Sequence, residues 1–174
     1  MNFLPAQIEG RKMRTPIGDL EAPERVLRAA EGKDLVLLGV RPEHFEDASL
    51  VDEAVRDKGT VFTADVSHTE WLGNEQYGYI GYESDAKVKQ LLDDLAKDLD
   101  GDEMDPVVVA SFDTASRIRG GDQAEIWVDG RKMHVFDMET GENLTRDEEA
   151  GAELTRQSNK EREREIERAR SKQD

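Results

Sequence analysis

The chain has 174 residues, of which 36% are hydrophobic and 37% charged, and its formal net charge is −16. That length is one ordinary domain or two very small ones, with a modest core. The acidic total disfavours nucleic acid and anionic membranes, and the absence of cysteine excludes disulfides, cysteine-type zinc sites and thiol nucleophiles. No apolar run approaches a membrane span, and the first residues, MNFLPAQIEGRK, lack the order of a secretory signal. A cytoplasmic location fits these features.

In chain order, residues 1–42 carry short apolar pieces around Phe3-Leu4, Ile8, Met13, Ile17 and Leu20, punctuated by Pro5, Gly10, Pro16 and Gly18. These read as strands. Glu24 to Ala30 reads as one or two helical turns. The run Val36 to Val40 predicts a strand covered on both faces, because it is almost continuously apolar. Residues 43–58 are polar, with Leu50, Val51, Ala54 and Val55 at helical spacing, and read as a short helix or a loop. From Gly59 to Tyr82, Phe62, Ala64 and Val66 alternate with Thr63 and Asp65. The Gly73-Asn74 pair then separates this run from Tyr77, Tyr79 and Ile80, the pattern of a hairpin.

Ser84–Leu99 reads as an amphipathic helix, with Val88, Leu91, Leu92, Leu95 and Leu99 on one stripe. Pro106 opens a strand at Val107–Val109. Ile126–Val128 and Met133–Phe136 flank Asp129-Gly130 and read as a second hairpin. Residues 150–174 carry a net +1, leaving −17 on the rest, and offer almost nothing to bury. They read as a solvated helix or a disordered tail.

Catalytic and metal motifs fail one by one. His44, His68 and His134 have no partner at zinc spacing and read as structural or surface groups. The acidic run Asp98–Asp105 lacks the glycine of a calcium loop at its sixth position, where Glu103 stands, and reads as a turn. Gly32-Lys33 is followed by Asp34, so no phosphate loop forms there. Asn143-Leu144-Thr145 is a formal glycosylation sequon and reads as a chance match. Two motifs stand out. In Leu38-Gly39-Val40-Arg41-Pro42-Glu43-His44, Pro42 pushes Arg41 towards extended backbone. Arg41 can then pair with Glu43 or reach a carboxylate elsewhere. Met133 to Gly141 reads as a strand ending in a turn, with Phe136 as an anchor.

LGVRPEH resembles a signature of the C-terminal domain in the ATPase subunits of maltose-type sugar importers. HVFDMETGENL resembles that domain's last strand and turn, VSHTEWLGNEQYGYI its strand pair, and MNFLPA the point where the ATPase domain hands over. The resemblance covers roughly residues 1–145, and the helix Ser84–Leu99 resembles an insertion of actinobacterial multi-sugar members. It implies a mainly β fold, the OB-like barrel of the transport-associated (TOBE) module, over residues 1–149. Two small interleaved barrels, a helical insertion at 84–100 and a tail at 150–174 complete it.

By this resemblance the chain is the regulatory and dimerisation part of an ABC-transporter subunit. The ATP and magnesium sites would lie in a missing upstream domain, and this piece would not be an enzyme. Its partners would be a second copy, the ATPase domain, the membrane subunits and a regulatory protein, at the inner face of the membrane. The residues that match the family pattern are Arg41, Glu43, His44, Gly73, Glu75, His134, Phe136, Asp137 and Gly141, with structural or interface roles and no catalytic one. The charged insertion could dock a partner or cover a barrel end. The competing readings are a free-standing oxyanion-binding barrel and, against the charge, an OB-type nucleic-acid binder. For the second, Trp71, Trp127 and the tyrosines could stack on bases, although their strand positions predict core packing.

Overall fold

The structure is a computed structural model that describes residues 1–83 and 106–146. The helix expected at Ser84–Leu99, the acidic run to Asp105 and the charged tail lie outside the described residues. Among the described residues ten strands form two five-stranded antiparallel sheets. The first contains β1 (Asn2–Glu9), β2 (Lys12–Thr15), β3 (Gly18–Glu21), β4 (Leu35–Val40) and β10 (His134–Phe136), in the order β10-β4-β1-β2-β3. The second contains β5 (Phe45–Asp47), β6 (Gly59–Leu72), β7 (Glu75–Gly81), β8 (Val107–Phe112) and β9 (Gln123–Asp129), in the order β5-β9-β6-β7-β8. The short helices α1 (Glu24–Ala29) and α2 (Glu53–Arg56) connect strands.

The mainly β, OB-like architecture expected from the sequence is present. Its curl comes from β6. Residues Gly59–Asp65 pair with β9, residues Val66–Leu72 pair with β7, and the register shifts between Val66 and His68. One long strand therefore serves two neighbours at different heights, which bends the sheet. Its edge strands β5 and β8 come together. The Glu46 carboxylate accepts from the Asp113 amide at 3.1 Å, and Ser116 Oγ donates to Asp47 at 2.8 Å. Inside, Phe45 and Phe62 meet edge to face at 6.3 Å. Gln76 is fully buried and donates to the Ile118 carbonyl at 2.6 Å.

The first sheet lays one face on this half-barrel. Leu4, Ala6, Met13, Val36, Leu38, Val40, Met133 and Val135 are fully buried and continuous with the barrel interior. Each large side chain among them contributes about 1.5–3 kcal/mol. Val36–Val40 is buried on both faces, as its apolar run predicts. Asn2 ties the sheets together. Its side-chain amide donates to the Val109 carbonyl and accepts from the Val109 amide, both at 2.8 Å.

Three expectations need correction. Ile126–Val128 and Met133–Phe136 are not a hairpin: β9 pairs with β5 and β6, and β10 pairs with β4. Asp129 ends β9 by accepting from the Arg131 amide at 2.9 Å and forking onto its guanidinium at 2.9 and 2.8 Å. The resulting 3-10 turn, Gly130–Lys132, sends the chain across to the first sheet, where Met133 and Val135 find burial. Trp71 is not a core residue but is 50% exposed, whereas Trp127 is buried and its indole donates to the Arg56 carbonyl at 3.0 Å. Residues 43–58 hold more than one helix or loop: a 3-10 turn at Pro42–His44, β5, and α2 capped by Asp52.

A Cβ on Gly59 would lie 2.1 Å from the Val128 carbonyl oxygen and 2.5 Å from the Trp127 ring. Gly59→Ala is expected to cost about 1–3 kcal/mol, measured by urea unfolding. Asn2→Ala removes both bonds to Val109 and is expected to cost about 1–2 kcal/mol in the same assay.

Candidate functional site

Three of the four singled-out segments converge on the outer side of the first sheet. In register, Phe3 faces Gly39 and Gly39 faces His134, while Pro5 faces Leu37 and Leu37 faces Phe136. Gly39 is a seat: a Cβ there would lie 2.7 Å from the Phe136 ring and 2.9 Å from Met1 Sδ. The rings of Phe3 and Phe136 meet above it edge to face at 5.5 Å. The small residue in one motif is thus explained by the aromatic residue in another, almost a hundred positions away.

Past β4 the chain turns as Pro42 dictates. Arg41 is extended, with φ −82° and ψ 151°, and the 3-10 turn Pro42–His44 follows. Arg41 and Glu43 are both exposed. They do not pair with each other, and among the described residues Arg41 pairs with no other carboxylate. The imidazole of His44 is half-buried. Its Nδ1 is sealed from solvent and, among the described residues, is the buried side-chain polar atom left without a hydrogen bond. Burial, with Arg41 and Lys132 nearby, holds the His44 pKa below the ordinary imidazole value. His134 is lowered in the same way, by burial first and then by Arg25, Arg41 and His44.

The terminal turn is organised by Asp137. Its Oδ1 accepts from the Glu139 and Thr140 amides, both at 2.8 Å, and its other oxygen holds the Lys33 ammonium. The Gly141 amide closes the loop on the Asp137 carbonyl at 3.0 Å, and Gly141 has φ +70°, which a glycine adopts without strain. The lysine and the turn amides hold the Asp137 carboxyl far below the usual carboxylate range. Asn143-Leu144-Thr145, formally a sequon, is a second turn. Thr145 Oγ1 donates to Asn143 Oδ1 at 2.9 Å and accepts from the Val135 amide at 3.2 Å.

Sequence reasoning missed Arg25 on α1. Its guanidinium donates to the carbonyls of Arg131 at 3.3 Å, Thr145 at 3.4 Å, and Met133. It clamps both flanks of β10. No sequence signal marks it, because the partners are backbone oxygens more than a hundred residues away.

Gly73 and Glu75 lie elsewhere, at the tip of the β6–β7 hairpin. Gly73 has φ +66° and with Asn74 makes the two-residue turn expected there, between the paired residues Leu72 and Glu75. The tip exposes Trp71 and Leu72, at 50% and 59%. The nine residues therefore divide between a junction (Arg41, Glu43, His44, His134, Phe136, Asp137, Gly141) and a projecting turn. The junction's chemistry is that of positioning: aromatic packing, carbonyl clamping and a carboxylate-pinned turn. It leaves an exposed guanidinium and carboxylate on the corner.

The histidines set a pH dependence. Both are lowered in the folded chain, so on acidification the unfolded chain binds protons that the folded one refuses. Stability is expected to fall as pH drops through about 6.5, the unfolded imidazole value. The Asp137 contribution persists until the pH falls below the ordinary carboxylate range. Melting temperatures from pH 8 to 5 should show the decline, and His44→Gln with His134→Gln should flatten it.

No family model matches the chain. Among curated proteins, the trehalose import ATP-binding protein SugC from two strains of Mycobacterium tuberculosis is similar to it. Both sequences are 35% identical over 150 residues, which is 83% of this chain. The chain spans 38% of the length of these relatives.

Proposed function

We propose, from the premise that this chain is homologous to a section of sugar-importer ATP-binding subunits, that it is the C-terminal regulatory and dimerisation module of such a subunit. The nucleotide-binding domain is not part of the module. The observation that carries this reading is the convergence of MNFLPA, LGVRPEH and HVFDMETG on one sheet, alongside 35% identity across most of the chain. Segments that match the family pattern at separate places in the sequence build one surface.

In this reading ATP and magnesium belong to the ATPase domain, and this chain carries out no chemistry. ATPase domains that close on nucleotide must separate again. A module that stays paired keeps two subunits at high effective concentration while their nucleotide sites open. The same module can bind a regulatory protein that prefers one arrangement of the pair and so shifts the population. Its other neighbours are the membrane subunits, and its place is the cytoplasmic face of the membrane. Among the described residues no helix is long and apolar enough to cross a membrane.

The oxyanion-binding reading draws less support. Of the cations at the junction, Arg25 is spent on three carbonyls, Lys33 is held by Asp137 and both histidines have lowered pKa values, which leaves Arg41 alone on an exposed corner beside the Glu43 carboxylate.

Light scattering from micromolar to millimolar concentration tests the module. A mass rising to that of a dimer is expected, and a strict monomer at millimolar concentration would count against pairing by this chain. Thermal melts with magnesium-ATP or molybdate are expected to show no shift. A shift of several degrees with molybdate would move the anion-binding barrel ahead.

A further inference from the structure

We infer that the tip of the β6–β7 arm is the element by which two copies of this chain meet, seated on the apolar outer face of the first sheet of the second copy. This rests on the dimerisation reading above and names its surfaces.

Beyond Asp65, β6 has lost β9 as a neighbour and continues with β7 to the Gly73-Asn74 turn. Trp71 and Leu72, adjacent at the end of that arm, are the two most exposed large hydrophobic residues among those described. Adjacent strand residues point to opposite faces, so the tip is apolar on both sides. A half-exposed indole at the end of a paired strand has little use within its own chain and is the side chain type most often found anchoring an interface.

The arm is also acidic. Glu70 and Glu75 flank the tip, and no lysine or arginine occurs from Gly59 to Gly81. Both carboxylates are held in place, Glu70 by the Tyr79 hydroxyl at 3.0 Å and Glu75 by the Tyr77 hydroxyl. Tip-to-tip packing would bring four carboxylates together and is disfavoured. The tip therefore selects an apolar seat with a cationic border.

The chain carries such a seat. Leu35, 42% exposed, lies on the outer side of the first sheet with the half-exposed rings of Phe3 and Phe136. Arg41 is two residues beyond Gly39 on the same face, exposed and, among the described residues, without an ion pair. In a two-fold pair each copy offers one tip and one seat, so the contact is made twice.

Sedimentation equilibrium on the chain and its variants tests this. Trp71→Ser, Leu72→Ser, Glu70→Arg and Arg41→Glu are each expected to weaken the dimer about tenfold or more. The double variant Glu70→Arg/Arg41→Glu is expected to recover most of the loss. All four positions are exposed, so melting temperatures should change little. Independently of any variant, tryptophan emission should shift to the blue as concentration rises, since Trp127 is already buried and only Trp71 can change. A dimer whose constant is unaffected by these substitutions, or whose emission does not shift, overturns the tip as the contact and leaves pairing intact. A chain that stays monomeric at millimolar concentration overturns both.

Discussion

The amide of Asn2 does the work of a missing strand. At Val109 it supplies one donor and one acceptor to a backbone edge that β7 leaves open on its other side. Open edges pair with whatever arrives, so closing this one from within protects the barrel from a stranger. The same contact fixes where β1 begins, and β1 is the central strand of the first sheet. The register of β4 on β1, and of β10 on β4, then brings Phe3 and Phe136 together over Gly39.

Local structure is legible in the sequence wherever neighbours in sequence are neighbours in space. The β6–β7 hairpin, the short helix after Pro23 and the doubly covered strand at Val36–Val40 all follow from spacing and turn chemistry. Asp129-Gly130 misled for the opposite reason. Its dipeptide suits a hairpin turn, yet both flanking strands pair elsewhere, and the Asp129 carboxylate is used to bend the chain out of the sheet. Trp71 misleads as well, because aromatic residues in strands usually face a core, and nothing local reveals that this strand end is left uncovered although its partner Gln76 is buried.

At the candidate site, the family pattern supplied the positions and the fold supplied the reasons. Gly39 is small because an aromatic ring from β10 occupies its space. Asp137 is acidic because it gathers two turn amides and Lys33. Arg25 was invisible, since a residue that bonds only to backbone carbonyls leaves no complementary side chain to read. The similarity to sugar-importer subunits and the packing agree in one respect: three of the four matching segments meet on β1, β4 and β10 of the first sheet.

The route of the chain has a consequence for synthesis. The first sheet receives β1 to β4 early, then waits while the whole half-barrel is made before β10 arrives to flank β4. A nascent chain must carry β4, an almost wholly apolar strand, with one side unpaired across nearly a hundred residues of translation. Contacts this distant in sequence form slowly, because the loop between them must be closed before it is rewarded. Completion of the first sheet is therefore expected late, and a chain that still lacks β10 presents one edge of β4 open to other chains.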